Sequence, residues 1–300
     1  MSLIAFLGAI EAGLLFGLVA LGVFITFRVL DFPDLTVDGS LPLGAAVAAT
    51  LIVAGVPPVI ATLIAMIAGG MSGVVTGWLN VRLNILHLLA SILTMIALYS
   101  INLRIMGKPN MPLLGEVTVF TPLEEAFDLP FYWTNLMLLT VVVVVTKWLI
   151  DAFLNSEIGL AMRATGANPR MARAQGINTD VMVLAGVGLS NALVALAGAL
   201  FAQVQGGADI SMGVGVIVVG LAAVILGEAV MSTRTIVLAT LACIVGSIVY
   251  RLAVAAALNA DFMGLQAQDL KLITAVLVVV AMTAPGARRK WLKKRKAAKP

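Results

Sequence analysis

Charge is scarce in this chain. Only 11% of its 300 residues are Asp, Glu, Lys or Arg, while 61% are hydrophobic. Soluble domains carry about 25% charge; a soluble core could not hide this much apolar surface, so much of the exterior must face lipid. Cysteine is limited to Cys243, which excludes an internal disulfide and reads as a small apolar residue in an apolar run. A single histidine, His87, leaves no Cys/His cluster for a metal. A Ser-His-Asp triad would need that same His87, and no G-x-S-x-G elbow or H-E-x-x-H motif accompanies it. The phosphate loop G-x-x-x-x-G-K-[ST] is also missing. These absences argue against catalysis, ATP hydrolysis included, and predict no cofactor or metal bound by this chain.

What is present is a series of apolar runs. Nine spans are read, within a range of eight to ten: Leu3–Phe27, Leu43–Val56, Pro58–Leu79, Ile85–Ile105, Asn135–Phe153, Val181–Val204, Gly213–Val230, Thr235–Leu258 and Leu270–Thr283. Crossing the hydrocarbon layer takes about 20 residues as a helix, so the second and last are short. In lipid every backbone group must be paired within its segment. Strand-like alternation is missing, so the expected fold is an all-α polytopic membrane protein with two short re-entrant or broken helices. The N-terminus lacks the positive region of a signal peptide and is read as a retained first span.

Basic residues set the orientation. Arg163, Arg170 and Arg173 put the central loop in the cytoplasm, and the tail Arg288–Lys299 puts the C-terminus there, resting on lipid headgroups rather than on nucleic acid. Counting back places the N-terminus outside, together with the acidic loop Gly107–Thr134. Arg251 fits this scheme poorly, since it falls within the eighth span; it either snorkels or faces the bundle interior. The chain also repeats itself at an offset of 175 residues: Leu18–Leu21 recurs as Leu193–Leu196, and Asp34-Leu35-Thr36-Val37 as Asp209-Ile210-Ser211-Met212. A shift of five spans reverses orientation, which makes this an inverted internal repeat, residues 3–105 against 181–284, with a substrate path at the repeat interface.

Residues 155–180 form the loop between the halves. Its core, EIGLAMRATGANPRMARAQGI, carries four charges between two apolar spans. Ser156 or Glu157 can start a short helix; Gly166, Asn168 and Pro169 break it; a second runs from Pro169 to Gln175 and stops at Gly176. This compact plug, with its arginines on the surface, resembles the cytoplasmic coupling loop of ABC importer permeases of the branched-chain amino acid and simple sugar permease family. The matching residues are Gly159, Ala161, Arg163, Ala164, Gly166, Asn168, Ala172, Gly176 and Ile177, and Glu157, Arg170 and Arg173 complete the expected ATPase-coupling surface. The segment VLDFPDLTVDGSLPLGAA, Val29–Ala46, is similar to the stretch after the first span of the same family, where extended chain enters a short helix. Its wording is closest to a less characterised, amino-acid-type branch and departs from the asparagine–phenylalanine–alanine–histidine–glycine wording of branched-chain amino acid permeases.

Polar residues gather at two related helix starts: Asp34, Thr36, Asp38 and Ser40 at one, Asp209 and Ser211 at the other. Helix N-termini offer free N–H groups and partial positive charge. They either receive a substrate carboxylate or are capped by these aspartates, with Asp38 or Ser40 capping the first. Glu11 is either a buried charge in the first span or an interfacial one. His87 reads as interfacial, Asn102 and Asn191 as interhelical hydrogen-bonding residues, and Gly73 and Gly77 as a close-packing GxxxG pair.

The resemblance implies one permease domain, residues 1–284, with a basic tail at 285–300. It implies import of an amino acid or similar small solute across the cytoplasmic membrane of a bacterium. The expected partners are ATPase subunits that bind ATP–Mg and dock on 157–177, a second copy or a homologous permease, and an extracytoplasmic solute-binding protein. The alternative is an ion-coupled secondary transporter, suggested by the repeat and by Glu11, Asp34 and Asp38.

Overall fold

The computed structural model describes residues 3–127 and 131–258, with Val276 and Val279. The expected ninth span, Leu270–Thr283, and the basic tail lie outside the described residues. Helix α1, Leu3–Val23, continues as a π-helical turn, Phe24–Val29. Then come α2 (Val37–Val53), α3 (Pro58–Leu83), α4 (His87–Met106), β1 (Asn110–Pro112), α5 (Thr121–Phe127) and α6 (Phe131–Asn155). The central loop forms α7 (Glu157–Ala167) and α8 (Pro169–Ala174), followed by α9 (Thr179–Gln205), β2 (Gly207–Asp209), α10 (Val216–Val230) and α11 (Ile236–Leu258).

Among the described residues six helices are long and apolar enough to cross a membrane: Leu3–Val29, Pro58–Leu83, His87–Met106, Trp133–Asn155, Thr179–Gln205 and Ile236–Ala257. Two apolar helices are shorter, α2 at 17 residues and α10 at 15. The second short helix among the described residues is therefore α10, which the sequence had suggested as a full span. The segment Gly213–Val230 falls short of one because Gly215 adopts φ +83° and α10 begins only after it.

The order long–short–long occurs twice, as α1–α2–α3 and as α9–α10–α11. After the first long helix of each set the chain turns back into the bundle. Residues 30–36 run inward until Asp34 meets Asn191, midway along α9. Residues 206–215 return from the other end, where β2 pairs antiparallel with β1 in the register Asn110↔Asp209. Hence α2 and α10 both start inside the bundle and run toward opposite ends.

Small residues let these helices touch. A Cβ on Gly44 of α2 would sit 2.0 Å from the Ala195 carbonyl oxygen of α9, and one on Gly73 of α3 would sit 2.4 Å from that of Val187. Gly77, its expected GxxxG partner, also faces α9, at Leu184. With no hydrophobic drive between helices in lipid, such backbone approach is the main source of packing energy. The core centres on Leu14–Ile25 of α1 and the π-helical turn, buried by α9, α10 and α11. Large apolar side chains on α3, α4 and α6, among them Ile67, Met71, Ile96, Val141 and Trp148, stay exposed and form the lipid-facing rim.

Candidate functional site: the central loop and the buried helix starts

The central loop is built from local signals. Ser156 caps α7, its Oγ accepting the N–H of Gly159, and Asn168 caps α8, its Oδ1 accepting the N–H of Met171. Pro169 follows as the first residue of α8, where its missing N–H costs nothing. Gly176 adopts φ +83° and ends the unit. Two buried residues, Met162 and Thr165, together with Gly159 seat α7 on the bundle.

Gly166 makes the decisive contact. A Cβ there would lie 2.0 Å from the Val29 carbonyl oxygen, at the end of the π-helical turn. No side chain fits, so the backbone of α7 rests directly on the backbone where α1 gives way to the inward-running segment. Two clefts flank this contact, of about 850 and 520 Å³, and both are bordered by Asp31, Gly166 and Ala167. Arg28 and Glu228 form an ion pair along the larger one and so join the ends of the π-helical turn and α10.

The loop arginines do not all lie free on the surface, as the sequence had suggested. Arg170 is exposed. Arg173 is exposed but tied, its Nε donating to Thr179 Oγ1 at 2.7 Å and thereby fixing α8 to the first turn of α9. Arg163 is half-buried and points at the Leu154 carbonyl. Of the remaining matched residues, Glu157, Ala164 and Asn168 are exposed, Ala161 and Ile177 are half-buried, and Ala172 is buried. Sequence reasoning missed the apolar part of this surface. Ile158, Leu160 and Met171 are 54%, 51% and 62% exposed. The signal was the interleaving of large apolar residues with helix positions that the bundle already uses.

Inside the bundle the polar residues form one network. Asp34 Oδ1 accepts the N–H of Thr36 at 2.9 Å, and its Oδ2 accepts Asn191 Nδ2 at 2.7 Å. Asn191 Oδ1 accepts the Ser40 hydroxyl at 2.7 Å; Ser40 is bonded to Ser72 at 2.9 Å, and Thr36 to Thr76 at 2.8 Å. Asp34, Thr36, Ser40, Thr76 and Asn191 are all fully buried. Burial of polar groups at this depth is tolerated because each finds a partner.

Neither Asp38 nor Ser40 caps α2, contrary to expectation. Both lie inside its first turns, after the N-cap Thr36, and both side chains are engaged away from their own helix start. Asp38 instead caps α10, its carboxyl accepting the N–H groups of Gly215 at 3.1 Å and Ile217 at 2.8 Å. On the second inward-running segment, Asp209 Oδ1 accepts the N–H of Ser211 at 2.7 Å, the same local turn that Asp34 makes with Thr36. Asp209 is only half-buried, however, and Ser211 is exposed, so this pair stands apart from the Asp34 network.

Glu11 is half-buried and accepts Asn135 Nδ2 of α6 at 3.3 Å, away from both helix starts. His87 packs edge-on against Phe32 with ring centroids 4.4 Å apart. Asn102 donates to the Gly39 carbonyl. Asp151, not singled out by sequence reasoning, is buried between Lys147 and the hydroxyl of Thr240 on α11. Among the described residues no group of three or more His, Cys, Asp or Glu is placed to hold a metal ion.

Comparison with known proteins agrees with this membrane architecture. A family model described as branched-chain amino acid transport system / permease component matches residues 5–283. A tyrosine transport system permease protein of Clostridioides difficile (strain R20291) is 39% identical over 285 residues, covering 94% of this chain and 91% of that protein. A Rickettsia prowazekii (strain Madrid E) protein, named only as uncharacterized protein RP368, is 34% identical over 281 residues, covering 92% of this chain and 96% of its own. The nucleoside ABC transporter permease protein NupC of Lactococcus lactis subsp. cremoris (strain MG1363) is 34% identical over 124 residues, covering 41% of this chain and 37% of its own. No solved structure matches. The chain therefore belongs to the branched-chain amino acid transport system permease family, as a non-enzymatic, multi-pass subunit of an ABC-type transport system.

Proposed function

We propose that this chain is the membrane-spanning subunit of an amino acid importer, driven by separate ATPase subunits that dock on residues 157–177. The observation that carries this reading is the surface of α7 and α8. It combines exposed Ile158, Leu160 and Met171 with exposed Glu157 and Arg170, next to a glycine seated on the transmembrane core. Apolar side chains ringed by charge suit a protein partner in water better than lipid.

In this reading the loop 155–180 faces the cytoplasm, and the opposite end, which carries β1 and β2, faces outward to a solute-binding protein. The ATPase subunits bind ATP–Mg, and a second copy or a homologous permease completes the pathway in the cytoplasmic membrane of a bacterium. The domain is residues 1–284, and the tail 285–300 rests on lipid headgroups. The two long–short–long sets and the matching turns at Asp34 and Asp209 support an inverted repeat, 3–105 against 181–284. The named function of the C. difficile relative supports an amino acid as solute. Glu11, Asp34 and Asp38 are each engaged by protein donors, which weighs against the ion-coupled alternative.

Reconstitution tests the proposal. The permease, co-expressed with its neighbouring ATPase and binding protein, should form a complex that takes up radiolabelled amino acid into proteoliposomes only with ATP–Mg on the side of α7 and α8. Uptake driven by an ion gradient without ATPase would overturn it.

A further inference from the structure

Arg251 is a cation in the interior of an apolar helix, and its side chain points the wrong way for an interfacial role. Helices α1 and α11 pack antiparallel: Ser247 Oγ donates to the Gly13 carbonyl at 2.7 Å, and a Cβ on Gly17 would lie 3.6 Å from Ile244. Phe16 is thus level with residues 244–247, more than a turn from Arg251 on the side away from the nearer end of α11. Yet the guanidinium carbon stands 3.8 Å from the Phe16 ring centroid. A snorkelling arginine extends toward the nearer interface. This one reaches inward, to a ring midway along the 27-residue stretch Leu3–Val29.

At that depth the guanidinium has no anionic partner among the described residues. Among the described residues Arg251 forms no ion pair, and its Nε is buried with no hydrogen-bond partner. The Phe16 face attracts the cation but uses none of its N–H donors. Glu11, on the same helix as Phe16, is engaged by Asn135. The other positive features of the interior, the starts of α2 and α10, are already filled by Asp34 and Asp38. A neighbouring aromatic pair, Phe16 edge-on to Phe201 at 6.0 Å, borders the same spot.

We propose that Arg251, held over Phe16 at mid-depth, receives the carboxylate of the solute in transit and restricts the pathway to solutes that carry one. The planar fork of a guanidinium matches a carboxylate with two parallel hydrogen bonds, which an ammonium or a capped helix end does not offer. The proposal rests on the reading of this chain as an amino acid permease.

The test uses the whole transporter in proteoliposomes, with a mixture of radiolabelled L-amino acids as probe and ATP hydrolysis measured in parallel. Arg251→Met and Arg251→Gln should lower the solute moved per ATP by about tenfold or more, the order expected when a charge-assisted pair is lost. ATP hydrolysis stimulated by the binding protein should change little. Arg251→Cys should be equally impaired, then recover in part, through charge alone, after modification with a thiosulfonate that adds an ammonium group but not with one that adds a sulfonate. Wild-type transport per ATP in Arg251→Met would overturn the proposal. So would equal rescue by both reagents, or loss of every variant, Arg251→Lys included, from the membrane. If the wild-type complex hydrolyses ATP but moves no amino acid, the amino acid reading itself fails, and this proposal with it.

Discussion

Asp38, in the first turn of α2, accepts the backbone N–H of Ile217, in the first turn of α10, at 2.8 Å. Two half-length helices that run to opposite ends of the bundle are thereby joined start to start. The same carboxyl also holds Gly215, and a Cβ on Gly213 would collide with the Asp38 carbonyl at 2.0 Å. One residue therefore fixes where α10 begins and how closely the two inward-running segments approach.

This join predicts a specific weakness. Asp38→Ala should destabilise the protein by about 1–2 kcal/mol, the upper range for a lost helix cap, because the freed N–H groups are far from water. Asp38→Asn keeps one acceptor oxygen and should lose less. Thermal unfolding of detergent-solubilised protein, followed by size exclusion, would order the three as wild type, Asn, Ala. Equal stability of Ala and wild type would mean that α10 starts without this cap.

The buried network predicts a larger effect. Asn191 Nδ2 and Oδ1 serve Asp34 and Ser40 at once, so Asn191→Leu strips partners from two fully buried groups. Each stranded group costs about 1–3 kcal/mol, more if charged. Asn191→Leu should therefore cost more stability than Asp38→Ala, although leucine is of similar length. The paired variant Asp34→Leu with Asn191→Leu should recover part of the loss. A double-mutant cycle by thermal unfolding checks this; strict additivity would mean that the two residues do not share a network.

How far the sequence revealed these features depends on the distance between partners. The α7–α8 unit was largely legible, because Ser156, Asn168, Pro169 and Gly176 act on the next few residues of their own helices; Gly166, expected to break the first helix, instead lies inside α7. Six long helices were legible because length and apolarity are local sums. Asp38 was legible as a helix-capping residue but not as the cap of α10, since its acceptor role spans 177 and 179 residues. The shortness of α10 escaped for a different reason: the run Gly213–Val230 is almost wholly apolar, and the helix is delayed by the positive φ of Gly215 and by the cap from distant Asp38. Arg173 looked like a free charge because its partners Thr179 and Asp180 lie beyond the end of α8, in the first turn of α9.

The exposed apolar residues of α7 and α8 yield a docking prediction. Ile158→Asp and Met171→Asp replace side chains that the bundle does not use, so insertion and thermal stability should stay within about 0.5 kcal/mol of wild type. Under the importer reading each should still weaken capture of the ATPase by about tenfold or more, since apolar anchors carry much of such an interface. Co-purification at matched expression measures it. Unchanged capture in both would move the docking surface elsewhere.

Gly166 separates transmission from docking. Its backbone rests on the Val29 carbonyl, and a methyl group there would overlap that oxygen at 2.0 Å. Gly166→Ala must push α7 away from the π-helical turn by roughly an ångström, since real contacts of this kind lie beyond about 3 Å. The outer face of α7 is untouched by this change, so the ATPase should still bind. Displacement at the Val29 contact, however, alters the lever through which α7 acts on α1 and on the segment leading to Asp34. Gly166→Ala should therefore keep ATPase capture and basal hydrolysis but lose most stimulation by solute and binding protein, by about tenfold on the scale of a 1.4 kcal/mol coupling energy. Val144→Ile, an exposed change on α6 away from this contact, should leave both quantities intact. Full stimulation in Gly166→Ala would show that force reaches the spans by another route, with the bond from Arg173 to Thr179 on α9 as the next contact to break.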